Sequence, residues 1–446
     1  MNTLHSVFRN ITEIIKKNDR VFLGFFIIFG ALLRFILLPS TIWSGDAARD
    51  LLVSQHILIY HEIPNIGHVA SGTNPVSYYP PLYYFLLAIL QIPSTNTWYI
   101  LSVFVLLNVA SIGIFYCIAK RLSNSISALL ATMLYTFSSY YLDQQTTLTS
   151  MHFALPLFFT GTLFHLAGIQ KRQPSLVFFG LFFLVIASSI NYAVLILIPI
   201  FLAWTFVTFK KDPKKTTYFI CYVYILFIVI YFSLVKYIVT NYGWSTFLAP
   251  LSLDNNISIR NFPAHIVEQY YTLLSTVFPL YTRVFMGILL IAIIWITLQR
   301  PKQIISILYP ISFLVTTLLL CAVKRGSVEN YYYYLVAPFV FIIIGMCFQS
   351  KKTTVIAIIL VSTIFVCAGW SSIRNSEWLF HRSRTYQETE HTVDTILTEL
   401  KSVENVRFNQ NLSFVAITAL NKTNYYWEGL KYSFFFEKKI GKVFWI

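Results

Sequence analysis

Three ionisable residues near the front of the chain stand at spacings that could do chemistry: Asp46, Arg49 and Asp50, between Trp43 and His56. On a helix beginning near Asp46, spacings of three and four set them on one side, with Val53 a turn farther on. Two carboxylates and a guanidinium suit removal of a proton from a hydroxyl beside an anionic substrate. The same residues also fit an interfacial helix without chemistry, with Asp46 at its positive end and Asp50 paired near Arg49. From the bare residues both readings stand. Farther on, Tyr78, Tyr79, Pro80, Pro81, Leu82, Tyr83 and Tyr84 open an apolar run that reaches Leu90. The prolines impose an extended entry, and the run is too short to span a bilayer from there. It is expected to lie in the interface with its tyrosines at headgroup level, as an aromatic anchor or as the wall of a site.

The elements that must position these residues are set by composition. Hydrophobic residues make up 57% of the 446 positions and charged residues only 11%, against about 25% charged in a soluble domain. That excludes a disordered chain and an ordinary soluble enzyme. A bilayer crossing needs about 20 apolar residues. Eleven candidate runs lie near 21–39, 98–119, 125–142, 154–169, 175–190, 192–209, 218–240, 275–298, 304–322, 332–349 and 353–370. The pair meeting at Asn191 is joined so tightly that it could be one bent unit. The first 20 residues are polar and basic and do not read as a cleaved signal peptide.

Charge sets the orientation. Sixteen basic residues fall in one set of alternating loops, among them Lys17, Arg20, Lys120, Arg121, Lys171, Arg172, Lys210 and Lys351, while the opposite set holds only Arg49, Arg260, Lys324 and Arg325. This bias predicts a multi-pass protein of the cytoplasmic membrane, with the N-terminus cytoplasmic and the C-terminus outside. The net charge of +15 therefore serves topology and does not point to nucleic acid. Two pieces stand outside the spans: the first outer loop, 40–97, and a tail, 371–446. In the tail, 385–402 reads as an amphipathic helix and 412–420 as a strand, a small α/β-like extracytoplasmic domain following a transmembrane domain over 1–370. Three further cations, Arg34, Lys236 and Arg283, lie toward the outer ends of their runs, where snorkelling lowers the cost of burial. The five cysteines lie within apolar runs and give no metal-binding or disulfide pattern.

Taken in order, Leu33-Arg34, the helix carrying Asp46 and Arg49, and Pro80-Pro81-Leu82-Tyr83 resemble the polyprenyl-phosphate-dependent sugar transferases of glycosyltransferase family 39. That superfamily includes the protein O-mannosyltransferases and the aminoarabinose transferases of lipid A. The tyrosine run Tyr331 to Tyr334 followed by Pro338 is similar to a late family feature. The resemblance implies a GT-C fold: an all-α polytopic protein with about eleven transmembrane helices and interfacial helices in the first outer loop. It implies Asp46 as catalytic base, Arg49 as a donor-phosphate contact or structural partner, and a wall made by the helix after Pro81. The chain departs from the family where many relatives carry an acid at the start of the fourth span and a lysine between the fifth and sixth. Here those places hold Thr149 to His152, and Asn191 with Tyr192.

Sugar transfer from a lipid phosphate passes through an oxocarbenium-like state, as in glycoside hydrolysis. The acceptor hydroxyl needs a base, and the phosphate leaving group needs cations more than an acid. Asp46 and Asp50 are the candidate catalytic carboxylates, and Arg49, Lys324 and Arg325 the candidate phosphate contacts. For Lys324 and Arg325 the competing expectation is snorkelling to lipid headgroups. Tyr79, Pro80, Pro81, Tyr83 and His152 are the candidate site wall or acceptor contacts. No metal is indicated, although two aspartates could share a divalent ion. The expected partners are membrane lipids, a polyprenyl-phosphate-linked sugar as donor, and a lipid, glycan or protein acceptor. The rival class is a transporter or flippase for an amphipathic lipid, which should place polar groups near mid-membrane on broken helices.

Overall fold

The computed structural model describes most of residues 13–230, together with 262–277, 304–323 and 331–347. Apolar runs with no internal way to hydrogen-bond their backbone except as helices become helices. In chain order these are α1 (Asp19–Leu37), α2 (Gly45–Tyr60), α3 (Leu82–Gln91), α4 (Thr97–Leu122), α5 (Ser125–Phe137), α6 (Met151–Lys171), α7 (Pro174–Ile190), α8 (Tyr192–Leu195) and α9 (Ile198–Phe209). They continue with α10 (Pro213–Ile230), α11 (Phe262–Val277), α12 (Ile304–Val323), α13 (Tyr331–Tyr334) and α14 (Ala337–Cys347). Between α2 and α3, β1 (Val69–Ala70) pairs antiparallel with β2 (Ser77–Tyr78), Val69 opposite Tyr78. By length and composition Asp19–Leu37, Thr97–Leu122, Met151–Lys171 and Tyr192–Phe209 are apolar enough to cross a membrane. Shorter apolar helical stretches are Leu82–Gln91, Ser125–Phe137, Pro174–Ile190, Ser306–Cys321 and Ala337–Met346. The runs expected at 275–298 and 353–370 and the C-terminal tail lie almost wholly outside the described residues.

Local signals end each helix where the sequence turns. Asn96 Oδ1 accepts from Trp98 N at 2.9 Å to start α4, and Asn124 Oδ1 accepts from Ser127 N at 2.9 Å to start α5. Arg172 closes α6 in the left-handed region at φ 51°, and Pro174 then opens α7. Asn191 ends α7 and caps α8, accepting from Ala193 N at 3.0 Å. The tight junction expected there is thus a helix break with one residue serving both ends, and α9 restarts at Ile198 after a second turn. α11 answers no expected span. Leu273 and Leu274 are buried while Val267 and Tyr271 stay exposed, an amphipathic pattern that packs it on α12.

The tightest packing is between α6 and α7, where glycines bring the two backbones together. A Cβ at Gly180 would lie 2.6 Å from His165 N and 2.8 Å from Gly161 O, and backbone atoms cannot swing aside. Gly180→Val is therefore expected to cost about 3 kcal/mol, the upper end of overpacking penalties. The loss should appear as a lower melting temperature of the purified protein; an unchanged melting curve would show that the two helices can separate freely. α4 packs on α6, and α1 on α4 and α5, giving one contiguous core. At the Lys120 end, Asp19 accepts from Tyr116 Oη at 2.8 Å and pairs with Lys120, tying α1 to α4.

Candidate active site

α2 forms over the expected stretch because its apolar residues Ala47, Ala48, Leu51 and Ile57 recur at helical spacing and are buried as one stripe with Ser54. α3 buries Tyr83, Tyr84, Leu87, Ala88 and Gln91, and the two faces pack together. A polar clasp closes the pair: Gln91 Nε2 donates to Ser54 Oγ, which donates to Leu51 O at 2.8 Å. The outward sides of both helices expose Ile59, Tyr60, Phe85, Ile89 and Ile92. Apolar residues on one side of a ten-residue helix suit a bilayer surface and not a crossing. Gly67 folds the intervening loop back, donating its N–H to Tyr79 O at 2.6 Å, and a Cβ there would meet Pro80 O at 2.5 Å.

This packing separates two aspartates that the sequence left alike. Asp46, the second residue of α2, keeps 55% of its side chain exposed, while Asp50 keeps 5%. Arg49 lies between them. Its Nη1 is 2.7 Å from Asp46 Oδ1, and its Nη2 and Nε donate to Asp50 Oδ1 at 2.7 and 2.9 Å. The guanidinium is thus committed to both carboxylates along its length. The Tyr84 hydroxyl faces Arg49 and Asp50 from α3. Burial pushes the Asp50 carboxyl up to about 6 against the pull of Arg49, with the charge of Asp46 adding to the rise. Burial and the charge of Asp50 likewise raise the Tyr84 phenol. Nothing in the sequence distinguished Tyr84 from Tyr83, since both lie on the buried face of α3.

A wall of aromatic groups continues from this cluster. Tyr83 packs edge-on to Phe153 with centroids 6.0 Å apart, and Phe153 packs edge-on to Phe104 at 5.2 Å. His152 stacks on Phe104 at 5.1 Å and meets Asn108 Nδ2 through Nδ1 at 2.7 Å. Asn108 Nδ2 also donates to Phe104 O at 2.9 Å, which makes Nδ1 the acceptor and puts the imidazole proton on Nε2. Tyr79 stacks on Tyr192, centroids 4.2 Å apart, and Pro80 is buried beside it. Asn191 Nδ2 donates to Ser150 Oγ at 3.2 Å. Thr149 to His152 and Asn191 with Tyr192, two places singled out in the sequence, therefore meet on neighbouring helix ends through Ser150 and Asn191. Lys324 and Arg325 lie outside the described residues. Among the described residues, no three His, Cys, Asp or Glu side chains are grouped to hold a metal.

A second buried polar cluster lies toward the Lys171 end of α6. His165 Nδ1 is 3.1 Å from Tyr309 Oη, and Nε2 is 3.0 Å from Phe201 O and 2.9 Å from Thr205 Oγ1. Every ring nitrogen is satisfied, so the cluster pins α6, α9 and α12 together.

The fold as a whole is similar to a solved structure. The chain is similar to ArnT from Cupriavidus metallidurans, whose crystal structure holds undecaprenyl phosphate; the TM-score is 0.50 at 12% identity, over 94% of this chain and 77% of that one. The fold is GT-C. Within this GT-C fold, residues 78–237 match the family model of dolichyl-phosphate-mannose-protein mannosyltransferases. The matched stretch opens at β2 and takes in the Tyr79–Tyr84 segment, His152 and Asn191, while Asp46 to Asp50 precede it. Among curated proteins, none matches by sequence.

Proposed function

We propose that the protein is an integral membrane glycosyltransferase that moves a sugar from a polyprenyl-phosphate donor to a hydroxyl of a lipid, glycan or protein on the outer face of the membrane. The observation that carries this is the Asp46 carboxylate, exposed at the start of α2 and anchored through Arg49 to the buried Asp50. The match of 78–237 to mannosyltransferases and the likeness to a protein that binds undecaprenyl phosphate support the donor class. Asp46 takes the acceptor proton as the acceptor oxygen attacks the anomeric carbon, and the lipid phosphate leaves with the bonding pair. Attack from the face opposite the phosphate inverts the anomeric centre. Arg49 and Asp50 orient Asp46, and Tyr84 supports them. Arg49 is already engaged by two acids, so the departing phosphate falls to Lys324 and Arg325 of a later outer loop. Residues 1–370 form the catalytic membrane domain, and the tail from 371 is a small domain outside. The transporter alternative needs polar groups along a path, and the His165 cluster is closed on itself.

Transfer of radiolabelled sugar from undecaprenyl-phosphate-linked donor by the purified protein tests the reading, together with lipid extracts of cells lacking it. Accumulated lipid-phosphate sugar is expected; altered uptake without accumulation would favour transport. A reporter fused after Ile446 should be active only outside, and cytoplasmic activity would reverse the assigned face. pH gives a further check. The folded Asp50 holds its proton up to about 6, above the usual carboxylate value, so it is ionised and grips Arg49 only above that pH. kcat/KM should fall as pH drops through about 6, and Asp50→Asn should remove that limb. A limb that persists in the variant would assign it to another group. Because the raised value favours the proton in the folded state, ionised Asp50 opposes folding; its contribution to stability grows as pH falls from about 6 toward 4.

A further inference from the structure

Arg34 lies in the last turn of α1 with 2% of its surface exposed. Gly30 makes the space: a Cβ there would come within 3.1 Å of Arg34 Nη1 and 2.7 Å of Thr136 Cγ2. Nη1 donates to Gly30 O at 2.9 Å. Nε and Nη2 are fully enclosed and meet no acceptor, and among the described residues no carboxylate pairs with this cation. A guanidinium cannot give up its proton, so burial leaves it charged, and an uncompensated buried cation is among the costliest arrangements a fold can hold.

The geometry of the two unsatisfied donors is specific. Nε–H and Nη2–H are the two in-plane donors along one edge of the guanidinium, the edge that grips two oxygens of a phosphate at once. The guanidinium lies in electrostatic range of Tyr135 and Tyr334. Ser138 Oγ, at the same end of α5, is also buried without a hydrogen-bond partner, and the buried Tyr135 hydroxyl has only Ser111 beside it. α1 carries this residue at its end, where a spanning helix meets the headgroup layer, and its other side exposes Leu32, Phe35 and Ile36. A lipid lying along α1 would bring its phosphate to the level of Arg34.

We propose that Arg34, with the hydroxyls of Tyr135 and Ser138, is a binding site for the phosphate of an anionic membrane lipid, built from residues other than Asp46, Arg49 and Asp50. Two lipids share that chemistry, the polyprenyl-phosphate carrier and a bulk anionic phospholipid. In the first case the site rests on the function proposed above and adds a donor contact to it; in the second it stands independently.

The test uses the full chain in nanodiscs of neutral phosphatidylcholine, with undecaprenyl phosphate or phosphatidylglycerol added, read as the rise in melting temperature with lipid fraction. Losing hydrogen bonds to a charged group predicts roughly a 10- to 100-fold weaker affinity in Arg34→Met for the lipid that occupies the site. In neutral lipid Arg34→Met should melt no lower than wild type, because it removes an unpaired buried charge. Dependence on Arg34 with undecaprenyl phosphate alone identifies the carrier, and with phosphatidylglycerol identifies a phospholipid headgroup. Should Arg34→Met fail to fold, Arg34→Lys decides: it keeps the charge without the two-donor edge and should also bind about tenfold more weakly. Full affinity in the variant that is measured, or no shift from either lipid in wild type, overturns the site. Asp46→Asn is run alongside and should bind as wild type does, so failure of the phosphate site and failure of Asp46 as base are read separately.

Discussion

Asp46→Asn is expected to slow sugar transfer by about 10²- to 10⁴-fold, the usual loss on removing a general base, while the protein folds normally. The separation of the two effects comes from where Asp46 sits. Its side chain is more than half exposed, its partner Arg49 keeps Asp50, and the position is the second of α2. A half-exposed ion pair and a first-turn acid contribute about 1 kcal/mol or less each, so melting should move little. A purely structural Asp46 would give a different pattern, with turnover near wild type and a slight loss of stability. The measurement is single-turnover transfer on purified protein with matched melting curves. Turnover within a few-fold of wild type would remove Asp46 from the chemistry.

Arg49→Ala should be the most disruptive single change in the site, and its damage should depend on pH. The substitution leaves Asp50, nearly all of it buried, without its cation. Breaking a buried pair from one side costs about 3–5 kcal/mol. The carboxyl responds by holding its proton to still higher pH, since the one nearby charge that lowered its value is gone. Arg49→Ala is therefore expected to melt well below wild type at pH 7.5 and to recover much of the difference near pH 5.5, where Asp50 is neutral. Adding Asp50→Asn removes the stranded charge and should restore stability at pH 7.5 without restoring activity, because Asp46 still lacks its anchor. Equal losses at both pH values, or a double variant no more stable than the single, would mean that the unpaired Asp50 charge is not what destabilises Arg49→Ala. Arg49→Lys should fall between, keeping the charge but not the reach to both carboxylates.

The two variants together separate position from chemistry. If Asp46→Asn is inactive and stable while the Arg49→Ala/Asp50→Asn double variant is also stable and inactive, the cluster works as one unit. Asp46 then reacts and the pair behind it aims it.

Much of this protein is written locally. The apolar runs became helices because a bilayer leaves the backbone no other solution. Asp46, Arg49 and Asp50 share a helix side because three- and four-residue spacing fixes that within a single element. The extended entry and short helix after Pro81 follow from proline sterics and run length, and α3 ends at Gln91 as that length requires. What the spacing could not assign is which carboxylate is buried. Asp50 is covered because α3, more than thirty residues later, lays Tyr84 over it, and no pattern within α2 contains that contact. The meeting of Tyr79 with Tyr192 and of His152 with Asn108 likewise depends on how α4, α6 and α7 pack, which no local pattern contains. α11 escaped notice because an amphipathic helix has too few apolar residues to stand out against spans. Arg34 shows the division most sharply. Its place at the end of a span was plain from the sequence, where snorkelling to water was the natural expectation. The close approach of α1 to α5 at Gly30 instead encloses the guanidinium, because a glycine lets two helices touch where any side chain would have held them apart.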